Sequence, residues 1–91
     1  MQVQWTVRAG SDRENAINTI AVDSLTAALS QLDEIERQTD RLADYPKLGR
    51  PGRVKGTRER VVNRTPFIVV YRIKGEIVQI LRVLHGAQQW P

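Results

Sequence analysis

The chain opens on an alternation, with Val3, Trp5 and Val7 on one side and Gln2, Gln4 and Thr6 on the other. A period of two predicts a short, half-buried strand over residues 2–7, ended by Ala9-Gly10. Ser11-Asp12-Arg13-Glu14 has capping-box spacing: a hydroxyl can bond the backbone amide three residues on while the carboxylate reaches back. Ala16, Ile17, Ile20 and Ala21 follow at helical spacing, so a first helix is expected over 11–21. A second, longer helix should start behind Asp23 or Ser24. Leu25, Ala28, Leu29, Leu32, Ile35 and Leu42 form its buried stripe, with Thr39 beside them. Asp33, Glu34, Glu36, Arg37, Asp40 and Arg41 fall on the other face, the pattern of a solvated surface.

Between Asp44 and Gly52 two prolines and two glycines predict a loop. Beyond it the pattern becomes that of strands, over 57–63, 67–73 and 76–84. Lys74-Gly75 joins the last two as a tight hairpin, and Pro66 sits at a strand start, where its missing N–H does least harm. Both long strands are β-branched and nearly continuously apolar at their middles, which places them at the centre of a sheet beneath a helical hairpin. The order β-α-α-β-β-β predicts a two-layer α+β fold: an N-terminal strand, an αα-hairpin and a three-stranded antiparallel meander.

Ninety-one residues are enough for one domain, 1–91. No apolar run approaches the roughly 20 residues that a membrane-spanning helix needs. The start of the chain lacks the layout of a signal peptide, so a cytoplasmic protein without membrane contact is expected. Cysteine is absent, which excludes disulfides and thiolate metal sites. No cofactor and no metal is expected, because one histidine without a carboxylate cluster makes no ligand set.

Charge changes the picture. Residues 1–44 carry four arginines against eight carboxylates, a net −4. Residues 45–91 carry ten basic groups against Glu59 and Glu76, a net +8, which returns the overall +4. A domain polarised in this way suggests a basic half that meets an anion, either nucleic acid or an acidic protein segment. Arg58 and Arg60 alternate on one strand and should share a sheet face. Arg72 and Arg82 could join them or sit opposite, while Arg53 and Arg64 lie in adjoining loops. An arginine fork suits phosphates and carboxylates alike. His85, at the end of the last strand, is either an acid–base group or a structural imidazole. Gln88 follows it, and Trp90 could act as a lid over the sheet edge or as an interface anchor. Phe67 and Tyr71 share strand parity and are expected in the core.

Several stretches resemble one family. They are Trp5-Thr6, Arg41-Leu42-Ala43-Asp44-Tyr45-Pro46, Leu48-Gly49-Arg50-Pro51-Gly52-Arg53-Val54, Gly56-Thr57-Arg58-Glu59, Tyr71-Arg72, and Leu81 through Pro91. Together they are similar to the RelE/ParE toxin superfamily of bacterial type II toxin–antitoxin systems, over essentially the whole chain. The resemblance implies a growth-arresting toxin silenced by a co-encoded antitoxin whose segment wraps it. It also implies a toxin–antitoxin complex that binds operator DNA through the antitoxin. RelE-like members cut mRNA on the ribosome; ParE-like members are associated with poisoning of DNA gyrase. The nuclease branch tends to carry Arg-Leu-Val-Tyr before the hairpin, and this chain has Ile68-Val69-Val70-Tyr71. An isoleucine cannot stabilise the charge of a pentacoordinate phosphate. The resemblance therefore favours a ParE-like action on gyrase. The alternative is a ribosome-dependent endoribonuclease using Arg58, Arg60, Arg82 and His85. In either case Arg53, Arg58, Arg60, Arg64, Arg72, Arg82, His85, Gln88 and Trp90 are the expected contacts to antitoxin or target. Thr19-Ile20 and Ser24-Leu25 replace the family's frequent Tyr-Ile and Asn-Pro, a departure on the helical hairpin.

Overall fold

The computed structural model describes residues 1–86 and 88–91; Ala87, inside the C-terminal motif, lies outside the described residues. The chain forms β1 (Gln2–Trp5), α1 (Val7–Asp23), α2 (Leu25–Asp40), a single 3-10 turn (Arg41–Ala43), β2 (Arg50–Pro51), β3 (Arg58–Val61), β4 (Phe67–Lys74) and β5 (Ile77–His85). The strands make one sheet in the order β1-β5-β4-β3-β2. The expected meander of β3, β4 and β5 is there, with β4 and β5 in the interior of the sheet. Two strands extend it. β1 lies parallel to β5, from Gln2 opposite Ile77 to Trp5 opposite Ile80, and β2 pairs with β3 inside the stretch expected as loop. Pro51 is tolerated in β2 because that strand is the sheet's edge.

The first helix starts four residues before the expected position. The Thr6 hydroxyl accepts from the Ala9 amide at 3.1 Å, and Ala9 is fully buried. This cap and the burial of Ala9 outweigh the roughly 1 kcal/mol that Gly10 costs relative to alanine inside a helix. Val7 belongs to the helix and is exposed, so the strand ends at Trp5. Ser11 is already inside the helix and its capping box is unused. At the second helix the expected cap is found: the Ser24 hydroxyl accepts from Ala27 at 3.1 Å.

The apolar stripe of α2 is buried only in part. Ala28, Ile35 and Leu42 have no exposure, but Leu25 and Leu29 are 64% and 56% exposed. Near the hairpin tip the small Ala28 fills the buried position, and both leucines face outward.

Glu34, expected on the solvated face, is instead 9% exposed. Gln38 explains this. Its amide nitrogen donates to Glu34 at 2.6 Å and to the Asn63 carbonyl at 3.0 Å, while its oxygen accepts from the Asn63 amide at 2.8 Å. Gln38 thereby clips α2 onto the β3–β4 turn. Its hydrogen bond, helped by Arg37 and Arg64, holds the Glu34 carboxyl below its ordinary pKa against the opposing effect of burial.

Register places Phe67, Val69 and Tyr71 on the helix side of β4, in one cluster with Ala9, Ile35, Leu42, Val62, Val78 and Ile80. Ile68 and Val70 alternate onto the other face and are buried as well. Tyr71 reaches beyond the core to a loop. Its hydroxyl donates to the Pro46 carbonyl at 2.6 Å and accepts from the Gly49 amide at 2.8 Å. Gly49 is required there, because a Cβ would lie 2.7 Å from the Tyr71 ring. Burial raises the Tyr71 pKa against the opposing effects of the Gly49 amide, Arg58 and Arg60.

Candidate functional site

The basic side chains are divided between the two faces of the sheet. Arg58 stands opposite Tyr71 and Arg60 opposite Val69, so both share the helix side, as expected of their alternation. Arg72 and Arg82 take the other side, opposite Gln79 and Val70. Arg58 is occupied in holding the loop, since it donates to the Gly49 carbonyl at 2.8 Å. Arg72 donates to Gln79 at 2.6 Å, and Arg64 points into solvent 3.7 Å from Glu34.

Glu59, Val70 and Arg82 form a row across β3, β4 and β5 on the face away from the helices. Glu59 is only 2% exposed. Its carboxylate accepts from the Arg53 amide at 2.9 Å and from the Arg53 guanidinium at 3.1 Å, with Arg50 at 3.6 Å. Burial pushes the Glu59 pKa up, but Arg53 and Arg50 together hold it below the ordinary value. Arg53 also donates to the Gln88 carbonyl at 3.2 Å. The Arg82 guanidinium lies 5.5 Å from the centre of the Trp90 ring. Arg53 and Arg82 thus tether the C-terminal residues, which places Gln88 and Trp90 in intramolecular contacts.

An open groove of about 520 Å3 runs between α1 and the far end of β5. It exists because β1 pairs with Ile77–Ile80, leaving the edge of β5 beyond Ile80 without a neighbouring strand among the described residues. Side chains close that edge instead. Asp12 accepts from the Val83 amide at 3.0 Å and from Arg82 at 2.7 Å, and Gln88 accepts from the His85 amide at 3.3 Å. Ala16, Ile20, Phe67 and Val83 give the groove its apolar lining; Arg8, Arg82 and His85 add cationic or titratable groups. His85 packs edge-to-face on Phe67, with ring centres 6.1 Å apart. The Gln31 side-chain oxygen, in the same lining, is buried without a hydrogen-bond partner.

Of the expected contacts, the structure brings Arg82, His85 and Gln88 together at this groove. It sets Arg53 and Trp90 on the outer face, and Arg58, Arg60, Arg64 and Arg72 elsewhere. Asp12, which organises the β5 edge, was hidden in the sequence by its place inside an apparent capping box. Among the described residues no group of three potential metal ligands is found and no helix is long and apolar enough to cross a membrane.

The family model for the ParE toxin of the type II toxin–antitoxin system parDE matches residues 3–90. The chain belongs to the ParE toxin family. As a member of that family it is the toxin of a type II toxin–antitoxin system, within the RelE/ParE superfamily. The Y4kP protein of Sinorhizobium fredii is 42% identical over 90 residues, covering 99% of this chain and 93% of that protein. Toxin RelE2 of Caulobacter vibrioides is 31% identical over 87 residues, 96% of this chain and 97% of its own length. Among solved structures, a chain of the chromosomal ParDE system from P. aeruginosa superposes with a TM-score of 0.85 at 31% identity, covering 93% of this chain and 95% of that one. This likeness agrees with the α+β arrangement of the ParE toxin fold. The toxin–antitoxin pairing makes a cognate antitoxin its partner.

Proposed function

We propose that this ParE-family toxin arrests growth through DNA gyrase rather than by cutting mRNA, and that its antitoxin occupies the groove between α1 and β5. One observation carries the first part: the four side chains a nuclease would need do not converge. Arg58 and Arg60 lie on the helix side of the sheet, and Arg82 lies opposite Val70 on the other. His85 pairs with Phe67, four residues along β4 from the Tyr71 that faces Arg58, a separation of about 13 Å along the strand alone. Phosphoryl transfer needs donors preorganised around one phosphorus. Ile68, where the nuclease branch tends to carry arginine, is buried and supplies no donor.

The test uses the toxin expressed and purified without its antitoxin. Supercoiling by purified gyrase should be inhibited, and cells should arrest with DNA-damage signalling. Normal supercoiling in an excess of toxin that still arrests growth would refute the gyrase reading.

The ribosome-dependent nuclease remains the second reading, favoured by the 31% identity to a relative named RelE2. It requires new cuts in the ribosomal A site, visible by primer extension on translated mRNA. For the antitoxin, the groove offers an apolar lining, cationic groups and an unpaired buried acceptor, which together fit an acidic, amphipathic segment. Ala16→Arg, which fills the groove, should abolish neutralisation and leave toxicity in place; intact neutralisation would remove the groove from consideration. A cytoplasmic location, and operator binding by the complex through the antitoxin, accompany this proposal.

A further inference from the structure

The toxin's charge asymmetry has a location. The segment from Lys47 to Arg58 folds around β2, the edge strand of the sheet. A tight turn brings Gly52 back to Thr57, the Gly52 amide donating to the Thr57 carbonyl at 2.8 Å, and Lys55 projects from this turn in an exposed position. Arg58 donates to the Gly49 carbonyl and Tyr71 holds the same loop from below, so the segment is fixed on the sheet rather than loose. Arg72, on β4 beyond the intervening β3, adds an exposed cation on the face away from the helices, the face that Arg50 shares through its pairing with Glu59. Ile73 alternates onto the helix side, where it shares a cleft with Pro51, Gly56, Thr57 and Arg58. Glu59, the next residue after the segment, is buried and already neutralised by Arg53 and Arg50. Asp44 and Glu76 are the nearest exposed carboxylates along the chain. Lys47 and Lys55 make no ion pair and no side-chain hydrogen bond among the described residues, so their charge is uncommitted.

We propose that this corner, presented by Lys47, Arg50, Lys55 and Arg72, is a contact surface for the phosphodiester backbone of double-helical DNA. Exposed ammonium and guanidinium groups on a fixed sheet edge can neutralise phosphates, and displacing counterions from DNA provides the favourable free energy. The chemistry favours a duplex over a single strand. Single-strand binders combine cations with aromatic platforms for unstacked bases. Here the nearby exposed aromatic ring, Tyr45, has the Arg41 guanidinium 5.8 Å from its centre, and the cleft is lined by none. β2, at the corner's outer side, lies three strands from β5, about 14 Å across the sheet, and Arg72 pairs with Gln79, short of the Arg82–His85 stretch of β5 that lines the groove. An antitoxin segment in the groove and DNA at the corner can therefore be accommodated at once. The proposal does not depend on gyrase being the target.

Fluorescence anisotropy with the purified toxin and a labelled 20-base-pair duplex, over a series of salt concentrations, tests it. The wild-type toxin should bind at 50 mM salt, with affinity falling steeply as salt rises. Lys47→Ala/Lys55→Ala should lower the slope of log K against log salt by about 1.8, at roughly 0.9 per phosphate contact, and weaken binding at 50 mM salt at least about tenfold. A charge-matched control, Arg13→Ala/Arg37→Ala on the helices, should bind as the wild type does. Unfolding midpoints measured on all proteins separate lost contact from lost fold, and Lys47→Glu/Lys55→Glu provides a second variant. Four results would each overturn the proposal: no duplex binding by the wild type, equal losses in lysine variant and control, single-stranded RNA of equal length binding as tightly, or a polyglutamate peptide of equal charge doing so.

Discussion

Replacing Tyr71 with phenylalanine isolates the contact that fixes the basic loop to the sheet. The ring stays in the core, and only the hydroxyl between Pro46 and Gly49 is lost. The Gly49 amide is buried, and a buried donor left unpaired costs about 1–3 kcal/mol, on top of the net value of about 1 kcal/mol for the bond to Pro46. Some of this is returned because no hydroxyl need be desolvated, so a loss of about 2 kcal/mol is expected. At about 4–8 °C per kcal/mol for a domain of this size, the midpoint should drop by roughly 8–16 °C. Urea unfolding followed by far-ultraviolet circular dichroism measures it, and an unchanged m-value would confirm that the folded state keeps its compactness. The same bond has a pH signature. Tyr71 has a raised pKa in the folded state, so its contribution is complete below the unfolded value near 10 and is lost as pH rises through the folded value. The wild type should therefore lose its advantage over Tyr71→Phe in alkali. A loss smaller than about 0.5 kcal/mol at neutral pH, the scatter expected of an inert surface change, would refute this account of the loop.

Glu59→Gln should destabilise at neutral pH, because Arg53 and Arg50 lose their counter-charge; the difference should shrink as pH falls below about 4.5 through the depressed folded pKa, checked by unfolding at pH 3 and pH 7. Asp12→Ala strips the Val83 amide and the half-buried Arg82 of their acceptor, so a loss of about 2–3 kcal/mol is expected in chemical unfolding, with faster amide exchange at Val83. Leu25→Lys/Leu29→Lys should leave the unfolding midpoint within about 0.5 kcal/mol of wild type, since both side chains are mostly exposed; a large loss would place them in the core after all.

Order and type of the main elements were legible because long apolar runs and helical spacing are strong signals: β4, β5, α2 and the turn at Gly75 follow the pattern of the chain. What the pattern missed has specific causes. Thr6 outcompeted Ser11 as a cap because its amide and hydroxyl lie within reach of Ile80 and Leu81, partners more than 70 residues away. Glu34 looked solvated because its partner Gln38 is polar too, and two polar residues that bury each other leave no hydrophobic trace. β2 has two residues, one of them proline, too few for any period to show. At the site, residue types were readable but their faces were not: Arg58 and Arg82 are separated by the pleat, and the pairing register places Arg82 opposite Val70. The groove was not visible in the sequence, since it arises from β1 being shorter than the strand it joins.

That same strand governs when the toxin comes into being. β1 is made well before β5, its one neighbour in the sheet among the described residues, with Gln2 facing Ile77. Domains fold as units during synthesis, and pairing across so long a loop is slow. Until β5 has left the ribosome, β1 is a strand without a sheet, and the groove whose wall is β5 does not exist. Synthesis therefore delivers the groove only once β5 has been made, and an antitoxin segment that recognises it has no site on a chain that stops short of that strand.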